Sequence, residues 1–536
     1  MPCGSRLKLR RENGTTLTPM PISNERLREL LLALLVLVIS SYAWMFSKVS
    51  VPNERTRAYL TVALVDHGTI AIDQSLRRFG AVYDLASFGG HYYTDKAPGS
   101  SLLAVPIYGF VRLFSPAEAW DIVSLCNLFR TYLMLPFGLL GFVLLRSLLR
   151  GLGISDAGRD VASLAFSLGS PMLHYSNAFY GHVLVATLVL GALRCLRAAE
   201  GGKLGWFAAA GGCAGLAGLV EYQAIVLAAL LGMPILFQPL RRILPGALAY
   251  LAGGLPFALA LLWYDARAFG GPFELSYQHL VASTLQELHG FGLAGATSPT
   301  REVLYEMATS PSRGLFCTAP LLGFGLCALP FVHRRLGWSL WLTCLLGSAY
   351  FVLIVASSSV WFGGWSFGLR LLIPIYGMLA IAAAAGFDAC ARWSMFSALL
   401  RALAIYAIVY QLLVLLSFPE LPPEFFRPLP DAIIPALREG LVAPNLACKH
   451  FGLSPWNLAP IALVAAAAIG WLALCGEATS RVVRAARGGG SVLLAGLALL
   501  MLSRQEPLLA AGSQARWLRQ LRSWSTVELR CAAISE

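Results

Sequence analysis

The sequence predicts an all-α protein that crosses a membrane many times. Of the 536 residues, 57% are hydrophobic and only 13% are charged, whereas a soluble domain is usually about one quarter charged. The mean hydropathy is +0.66. Apolar runs of about 18 or more residues recur along the whole chain, and such runs are typical of transmembrane helices. Little of the chain is left to form a soluble domain.

The apolar runs predict about twelve spans. They lie at residues 29–48, 122–145, 161–175, 179–197, 204–220, 222–238, 244–263, 314–332, 337–357, 370–389, 395–417 and 459–475. A thirteenth run, 489–503, is short, and the arginines of the tail behind it argue against a crossing. The run at 101–114 is also short, which suits a juxtamembrane or re-entrant helix.

Basic residues set the expected orientation, because they collect in cytoplasmic loops. Those before the first span put the N-terminus in the cytoplasm. If residues 101–114 do not cross, the arginines of five later loops also fall on the cytoplasmic side. Four polar segments then face outwards: 50–120, 264–312, 358–369 and 418–458. We therefore expect a protein of the cytoplasmic (inner) membrane whose site faces the periplasm or exterior, where these segments meet the helices.

This topology divides the chain into four parts. They are a basic cytoplasmic N-terminus at 1–28, a transmembrane module at 29–390, C-terminal transmembrane helices at 391–503 and a basic tail at 504–536, which we also expect in the cytoplasm. Within the first outer loop, the periodicity near residues 57–65 predicts an amphipathic helix on the membrane surface.

The composition argues against several classes of protein. The net charge of +13 is explained by cytoplasmic loops, so no nucleic-acid partner is expected. The eleven cysteines show neither a CxxC motif nor a paired spacing, so no metal site and no disulfide framework is predicted. Neither a Walker loop nor an HExxH motif occurs in the sequence. No cofactor is expected.

The first outer loop contains an unusual polar stretch, GGHYYTDKAPGSS, at residues 89–101. Pro98 fixes its φ angle and Gly99 permits a sharp bend, so the turn can present Lys96 to a phosphate at the membrane surface. A solvated surface remains the alternative for each charged residue of this loop. Those residues are Glu54, Arg57, Asp66, Asp73, Asp84, His91, Asp95 and Lys96.

Later outer ends of spans repeat this polar theme. HYSNAFYGH carries His174 and His182, which are more often hydrogen-bonding groups at the interface than ligands. VEYQ places Glu221 between two apolar runs, where a carboxylate either lines a cavity or is costly. WFGGWSFGLR ends in Arg370, which can pair bidentately with a phosphate, and SPSRGLF offers Arg313 in a similar position.

These stretches resemble the GT-C superfamily of membrane glycosyltransferases, of the family-39 type that includes protein O-mannosyltransferases, lipid A aminoarabinose transferases and many bacterial relatives. ERTRAY, DHGTIAID and GGHYYTDKAPG are similar to the family's acidic, glycine-containing and aromatic–acid–Lys–Pro elements. The resemblance covers roughly residues 30–390. It implies a GT-C-like bundle of about 12–13 helices, a catalytic module at 29–390 and juxtamembrane helices in the first outer loop.

The resemblance also implies an activity. A sugar would pass, with inversion, from a polyprenyl-phosphate-linked donor to a lipid, polysaccharide or protein acceptor on the outer face. Glu54 would be the general base, with Asp66 as substitute, and Lys96 and Arg370 would bind the donor phosphate without a metal. The expected supporting residues are Arg57, His91, Tyr93, Asp95, His182, Glu221, Trp361 and Trp365. A flippase of lipid-linked sugars and a non-catalytic membrane scaffold remain alternatives.

Overall fold

The computed structural model describes residues 24–42, 51–289, 297–445, 448, 451–454, 457–475 and 481–532. Seven helical stretches in this part of the chain are long and apolar enough to cross a membrane. They are Ile122–Gly151, Gly181–Ala199, Leu240–Phe269, Trp338–Ala356, Arg370–Cys390, Ser394–Ser417 and Val482–Ser503. Shorter apolar helices accompany them at Leu204–Val220, Ala224–Phe237, Pro320–Phe331 and Ala459–Leu474. The prediction of an all-α polytopic membrane protein is confirmed.

The first half of the chain contains the juxtamembrane elements and the first bundle helices. The elements are α1 (Asn24–Tyr42), α2 (Pro52–His67), α3 (Asp73–Phe79), β1 (Leu85–Phe88), β2 (His91–Thr94), α4 (Gly99–Arg112), α5 (Ile122–Phe129), α6 (Leu135–Gly151), α7 (Asp156–Ser167), α8 (Met172–Tyr175), α9 (Gly181–Ala199), α10 (Leu204–Val220), α11 (Ala224–Leu231) and α12 (Leu240–Phe269). A π-helical turn, Arg130–Met134, joins α5 to α6.

The second half completes the bundle. Its helices are α13 (Ser283–His289), α14 (Arg301–Thr309), α15 (Leu315–Thr318), α16 (Pro320–Ala328), α17 (His333–Leu336), α18 (Trp338–Ala356), α19 (Ile373–Cys390), α20 (Ser394–Ser417), α21 (Ile434–Arg438), α22 (Ala459–Leu474), α23 (Arg481–Ser503) and α24 (Ala511–Ala532). Short 3₁₀ or π turns occupy Ala117–Ala119, Met233–Phe237, Ser276–Gln278, Leu329–Phe331, Arg370–Leu372 and Leu429–Ile433.

Helices α10 and α12 pack backbone against backbone through small residues. A Cβ atom on Gly211 would lie 1.8 Å from the carbonyl oxygen of Tyr250, and one on Gly253 would lie 1.9 Å from that of Ala208. Such close approach needs small residues, as is common between membrane helices. It fixes the end of α10, from which Glu221 follows directly.

Helix α2 leaves no apolar face free for lipid over Thr56–Ala63, unlike the interfacial helix that its sequence pattern predicts. Every residue from Thr56 to Ala63 is buried, including Arg57 and Thr61. Its neighbours are α3, α4, α5 and β2, which surround it. The apolar face therefore packs within the protein rather than on lipid, and the prediction of an interfacial helix is wrong.

A network of charges fixes the end of the bundle that the sequence assigns to the cytoplasm. Arg146 donates to Asp160 Oδ1 at 2.8 Å and to Glu29 Oε1 at 2.7 Å. Arg335 in turn contacts Asp388 at 3.2 Å. These contacts link α1, α6 and α7, and join α17 to α19, at one end of the molecule.

The tail after residue 503 packs at the opposite end, against the segments predicted to face outwards. Asp431 Oδ1 accepts the backbone N–H of Leu508 at 2.8 Å, and Trp517 packs on Phe418 and Trp365. Helix α23 therefore runs from one end of the bundle to the other. The length and composition of Val482–Ser503 favour a crossing that the tail arginines argued against. The contacts of the tail also differ from the expectation that it lies beside the cytoplasmic loops, because that expectation rested on its arginines and not on its aromatic contacts.

Candidate functional site

The hairpin β1–β2 brings two carboxylates to Lys96. Its register pairs Leu85 with Thr94, so Asp84, just before the first strand, lies opposite Asp95, just after the second. The Lys96 Nζ lies 2.6 Å from Asp95 Oδ2 and 3.1 Å from Asp84 Oδ2. Lys96 is thus a held cation rather than a freely solvated one.

Burial and charge compete at this cluster. Burial raises the pKa of Asp95 to about 6, and Asp84 adds to the rise while Lys96 opposes it. The two carboxylates keep the pKa of Lys96 above its ordinary value although burial lowers it. Burial also raises the pKa of the neighbouring Tyr277 to about 12. The ammonium group therefore stays charged, while Asp95 can change protonation near neutral pH.

Arg57 and Glu221 form a second charged pair beside the first. Arg57 is 1% exposed, and its Nη2 donates to Glu221 Oε1 at 2.9 Å while Nη1 donates to Ser100 Oγ at 2.9 Å. The pair joins α2, the start of α4 and the end of α10. The Glu221 side chain keeps 14% of its surface exposed, so it faces a space that is not filled by protein.

Two glycines let the surrounding backbones approach this pair. A Cβ atom on Gly181 would lie 2.0 Å from Glu221 Oε1, and one on Gly99 would lie 2.6 Å from the carbonyl carbon of Leu219. Gly99 is the first residue of a regular helix. It therefore serves close packing rather than the sharp bend that the sequence suggested.

His182 connects the Lys96 side of the site with the Arg370 side. Its Nδ1 lies 3.9 Å from Glu221 Oε1, and Arg370, Arg57 and Lys96 all act on it electrostatically. The predicted residues Arg57, Asp95, Lys96, His182, Glu221 and Arg370 thus lie in one polar cluster at one end of the bundle.

Arg370 is the cation of this cluster that lacks a carboxylate partner in the described chain. Its guanidinium carbon lies 5.0 Å from the ring centroid of Tyr180. Its Nε atom is enclosed and has no hydrogen-bond acceptor among the described residues. Glu420 acts on it electrostatically, but no described carboxylate forms an ion pair with it.

Arg313 has a different part from the one that the sequence suggested. It is 3% exposed, and it donates to the carbonyl oxygens of Phe362 at 2.9 Å, Gly364 at 3.0 Å and Leu421 at 3.2 Å. All of these acceptors belong to the loops next to Arg370 and Glu420. Arg313 therefore holds the loops in shape and has little capacity left for a ligand.

Glu54, the predicted base, is fully engaged elsewhere. It is 0% exposed, accepts from Arg130 Nε at 2.8 Å and from the backbone N–H of Phe179 at 2.7 Å, and forms a second bond with the Arg130 guanidinium. Both oxygens of this carboxylate are already bonded to donors of the protein, so they are not available to an acceptor hydroxyl. The prediction of Glu54 as base is not supported by this geometry, because Arg130 neutralises it inside the fold.

Asp66, the predicted substitute, is likewise paired. Tyr108 donates to it at 2.8 Å, Arg112 Nε at 2.7 Å and Arg78 at 3.4 Å. Burial and this carboxylate together raise the pKa of Tyr108 to about 12. Asp66 joins α2 to α3 and α4, and the structure records no contact between it and the cluster.

The predicted aromatic and imidazole contacts lie mostly outside the cluster. His91 is mostly exposed at the hairpin and pairs with Asp73 at 3.0 Å. Tyr93 is buried with its ring edge-on to Phe269 at 5.5 Å, so it belongs to the core. Trp365 packs on the C-terminal helix through Trp517. Trp361 is half-buried beside Phe362.

Sequence reasoning missed several residues of the site. Tyr277 lies within electrostatic range of Lys96 and Glu221, although it comes from a separate outer segment. Glu420 pairs with His174 at 2.9 Å, and Asp84 was not assigned a role. The alternation of the hairpin strands was the one signal that could have paired Asp84 with Asp95. Among the described residues, no group of three or more His, Cys, Asp or Glu side chains could hold a metal ion.

No protein-family model matches the chain, and no curated protein matches it. Among solved structures, it is similar to the apo oligosaccharyltransferase of Archaeoglobus fulgidus, with a TM-score of 0.48 and 13% identity over 77% of this chain and 58% of that one. It is similar to arabinosyltransferase EmbB from Mycobacterium smegmatis, with a TM-score of 0.45 and 15% identity over 93% of this chain and 42% of that one.

A third similarity is to ArnT from Cupriavidus metallidurans, a structure bound to undecaprenyl phosphate. The TM-score is 0.42 and the identity is 14%, over 94% of this chain and 88% of that one. The three proteins are GT-C glycosyltransferases, the class that the outer-loop motifs resemble. Because every one of these TM-scores lies below 0.5, they are likenesses only, and what the chain does is a question for its own site.

Proposed function

We propose that the chain is a glycosyltransferase that moves a sugar from a polyprenyl-phosphate-linked donor to an acceptor at the outer face of the cytoplasmic membrane. The observation that carries this proposal is Arg370, a cation with an enclosed Nε and no carboxylate partner in the described chain. Arg370 is half-buried, and a charge that is partly removed from water without a counterion is costly. An anionic ligand would remove that cost.

A phosphate diester fits this part of the molecule better than a carboxylate ligand or a free anion. Arg370 offers a planar fork for phosphate oxygens, and Lys96 offers a compact ammonium on the other side of His182. The cluster lies where apolar helices end, which is where a lipid-linked phosphate is found.

Glu221 is the carboxylate best suited to act as the base. Its Oε1 is held by Arg57 at 2.9 Å, which fixes its orientation, while part of the side chain remains exposed. It lies between the Lys96 and Arg370 sides of the cluster, next to His182. A base in that position can reach an acceptor hydroxyl beside a bound phosphate.

The proposed reaction is a displacement at the anomeric carbon. The acceptor hydroxyl loses its proton to Glu221, and its oxygen forms a bond to the anomeric carbon. The bond from that carbon to the phosphate oxygen breaks, and polyprenyl phosphate leaves with the electron pair. Arg370 and Lys96 stabilise the charge that develops on the leaving phosphate. Attack opposite the phosphate inverts the anomeric centre.

The first test measures phosphate binding by the full chain in lipid nanodiscs. We expect Arg370→Gln to weaken undecaprenyl phosphate binding at least tenfold, whereas Arg301→Gln, at an exposed position of α14, leaves it unchanged. Arg370→Lys should keep part of the affinity, because it keeps the charge and loses the fork. Equal affinities in all three variants would refute the proposal.

The second test separates transfer from transport. A deletion strain complemented with wild type, Arg370→Gln or Arg301→Gln is compared by mass spectrometry of its surface glycolipids and glycans. In vitro, a transferase releases polyprenyl phosphate from a glycosylated carrier, whereas a flippase moves the carrier intact. Glu221→Gln should retain undecaprenyl phosphate binding and lose release by at least a hundredfold.

A further inference from the structure

A second group of polar side chains adjoins Tyr180 and Arg370. Glu420 is 0% exposed, His174 is 4% exposed and Tyr175 is 0% exposed. Glu420 Oε1 lies 2.9 Å from His174 Nε2. Helix α8 carries the histidine and the tyrosine, and the loop after α20 carries the glutamate.

Each of these three residues has one enclosed polar atom without a hydrogen-bond partner in the described chain. The atoms are Glu420 Oε2, His174 Nδ1 and the Tyr175 hydroxyl oxygen. The hydroxyl lies beside the Arg370 guanidinium without meeting hydrogen-bond geometry. Most buried polar atoms in proteins are paired, and an unpaired one costs about 1–3 kcal/mol. Three unpaired polar atoms on adjoining residues indicate a binding site for a ligand.

We propose that Glu420, His174 and Tyr175 form the subsite that recognises hydroxyl groups of the donor sugar. This inference rests on the proposed function and deepens it. A carboxylate oxygen accepts from a sugar hydroxyl, and the tyrosine hydroxyl can donate or accept. Where His174 Nε2 donates to Glu420, its Nδ1 accepts as well. An anionic group would be repelled by Glu420, so the ligand here is neutral and hydroxyl-bearing.

The position of the subsite favours the donor sugar over the acceptor. The Tyr175 ring lies 5.1 Å from the Tyr180 ring, and the Arg370 guanidinium lies over the face of the Tyr180 ring. The donor sugar is joined to the phosphate by one bond, so groups next to a phosphate-binding arginine meet that sugar first.

Loop contacts fix the position of the subsite relative to Arg370. The carbonyl oxygen of Leu421, next to Glu420, accepts from the backbone N–H of Ser366 at 2.9 Å and from Arg313 at 3.2 Å. Ser366 lies four residues before Arg370. Arg313 therefore fixes both the segment that carries Glu420 and the loop that leads to Arg370.

Tyr175→Phe tests the inference most cleanly, because it removes an atom that has no hydrogen-bond partner in the described chain. If the hydroxyl were only structural, the variant would fold at least as well and bind the donor normally. Tyr264→Phe is the matched control, since Tyr264 also has an enclosed, unpartnered hydroxyl but packs beside Phe269, in the core away from Arg370.

The probes are undecaprenyl phosphate and its glucosyl, mannosyl and arabinosyl phosphodiesters, measured with the full chain in nanodiscs. We expect Tyr175→Phe to weaken binding of the preferred glycosylated lipid about tenfold, with the affinity for undecaprenyl phosphate and the Tm unchanged. Tyr264→Phe should leave both affinities unchanged. Glu420→Gln should match Tyr175→Phe where it folds.

Three outcomes would overturn the inference. In the first, Tyr175→Phe keeps wild-type affinity for every glycosylated lipid. In the second, wild type binds undecaprenyl phosphate but none of its glycosylated forms. In the third, wild type fails to bind undecaprenyl phosphate at all, which refutes the proposed function itself and this inference with it. If Tyr175→Phe left donor binding intact and only prevented saturation by the acceptor, the three residues would bind the acceptor instead. That result would contradict the inference in the same way as the first outcome.

Discussion

Glu54 and Arg130 form a buried, two-pronged ion pair between helix α2 and the π-helical turn that joins α5 to α6. Arg130 Nε lies 2.8 Å from Glu54 Oε1, and the carboxylate also caps the backbone N–H of Phe179. One side chain thus joins the first outer loop, the α5–α6 span and the loop before α9. The pair gives the acid of ERTRAY a structural role in the fold.

Removal of the Glu54 carboxylate should damage folding rather than chemistry alone. Glu54→Ala leaves Arg130 buried and unpaired, which typically costs about 3–5 kcal/mol. We expect a lower yield of monodisperse protein and a lower Tm in detergent. Glu118→Gln, at an exposed position of the same outer loop, is the control and should behave as wild type.

A Glu54→Ala variant with a wild-type Tm and no transfer would contradict this interpretation. It would return Glu54 to the role of base that the sequence suggested. Arg130→Met gives the reciprocal measurement, because it leaves the Glu54 carboxylate as the unpaired group.

Sequence reasoning located the membrane helices well because their signal is local. Apolar runs of sufficient length identify spans whatever the tertiary contacts are, and α9, α18 and α20 lie within two residues of the ranges that the runs predict. The contacts of helix α2 and of the C-terminal tail differ from the sequence-based expectations for the opposite reason. Both have mixed composition, and only contacts with distant segments, such as Trp517 with Phe418, decide where they lie.

The candidate site was predicted by residue type more successfully than by role. Lys96, Arg370 and Glu221 lie in one cluster because charged residues are costly within the membrane and therefore collect at the ends of the spans. The geometry does not favour Glu54 or Asp66 as the base, because each of them is paired with an arginine of another element. Arg130 lies 76 residues away from Glu54 along the chain, a pairing that no local motif can reveal.

Asp95 should give the protein a measurable pH dependence of stability. Its pKa is raised by burial to about 6 in the folded protein, against about 3.9 in an unfolded chain. The folded state therefore binds more protons between these values, so the contribution of Asp95 to stability falls as the pH rises from about 4 to about 6. Lys96, Asp84 and Arg57 are the charges that act on it.

Thermal unfolding of wild type and Asp95→Asn across this range measures that contribution. The asparagine cannot ionise, so we expect the variant to gain in Tm relative to wild type as the pH rises, with the difference levelling off above the folded pKa. A constant difference between the two proteins would show that Asp95 does not titrate in this window.

Two glycines around Glu221 should respond differently to alanine. In Gly181→Ala the new methyl group would lie 2.0 Å from the end of the Glu221 side chain. Because that side chain can move aside, we expect little change in Tm and at least a tenfold loss of transfer. In Gly99→Ala it meets the Leu219–Val220 backbone at 2.6 Å, which cannot yield easily, so the Tm should fall.

Gly109→Ala is the control for this pair, because it lies on the same helix as Gly99 with no atom within 4 Å of the added Cβ. Its Tm and transfer rate should equal those of wild type. If Gly181→Ala retained full transfer, the position of the Glu221 carboxylate would be irrelevant to the reaction, and its role as base would be refuted.

The C-terminal tail should be reachable from the same side of the membrane as the first outer loop. Asp431 and Trp517 tie the tail to segment 418–438. A membrane-impermeant maleimide should therefore label Gln520→Cys and Glu118→Cys from one side and Arg334→Cys only from the other, since all three positions are exposed. A background without the native cysteines keeps the signal specific. Labelling of Gln520→Cys together with Arg334→Cys would mean that α23 does not cross, and would restore the tail to the side that its arginines favour.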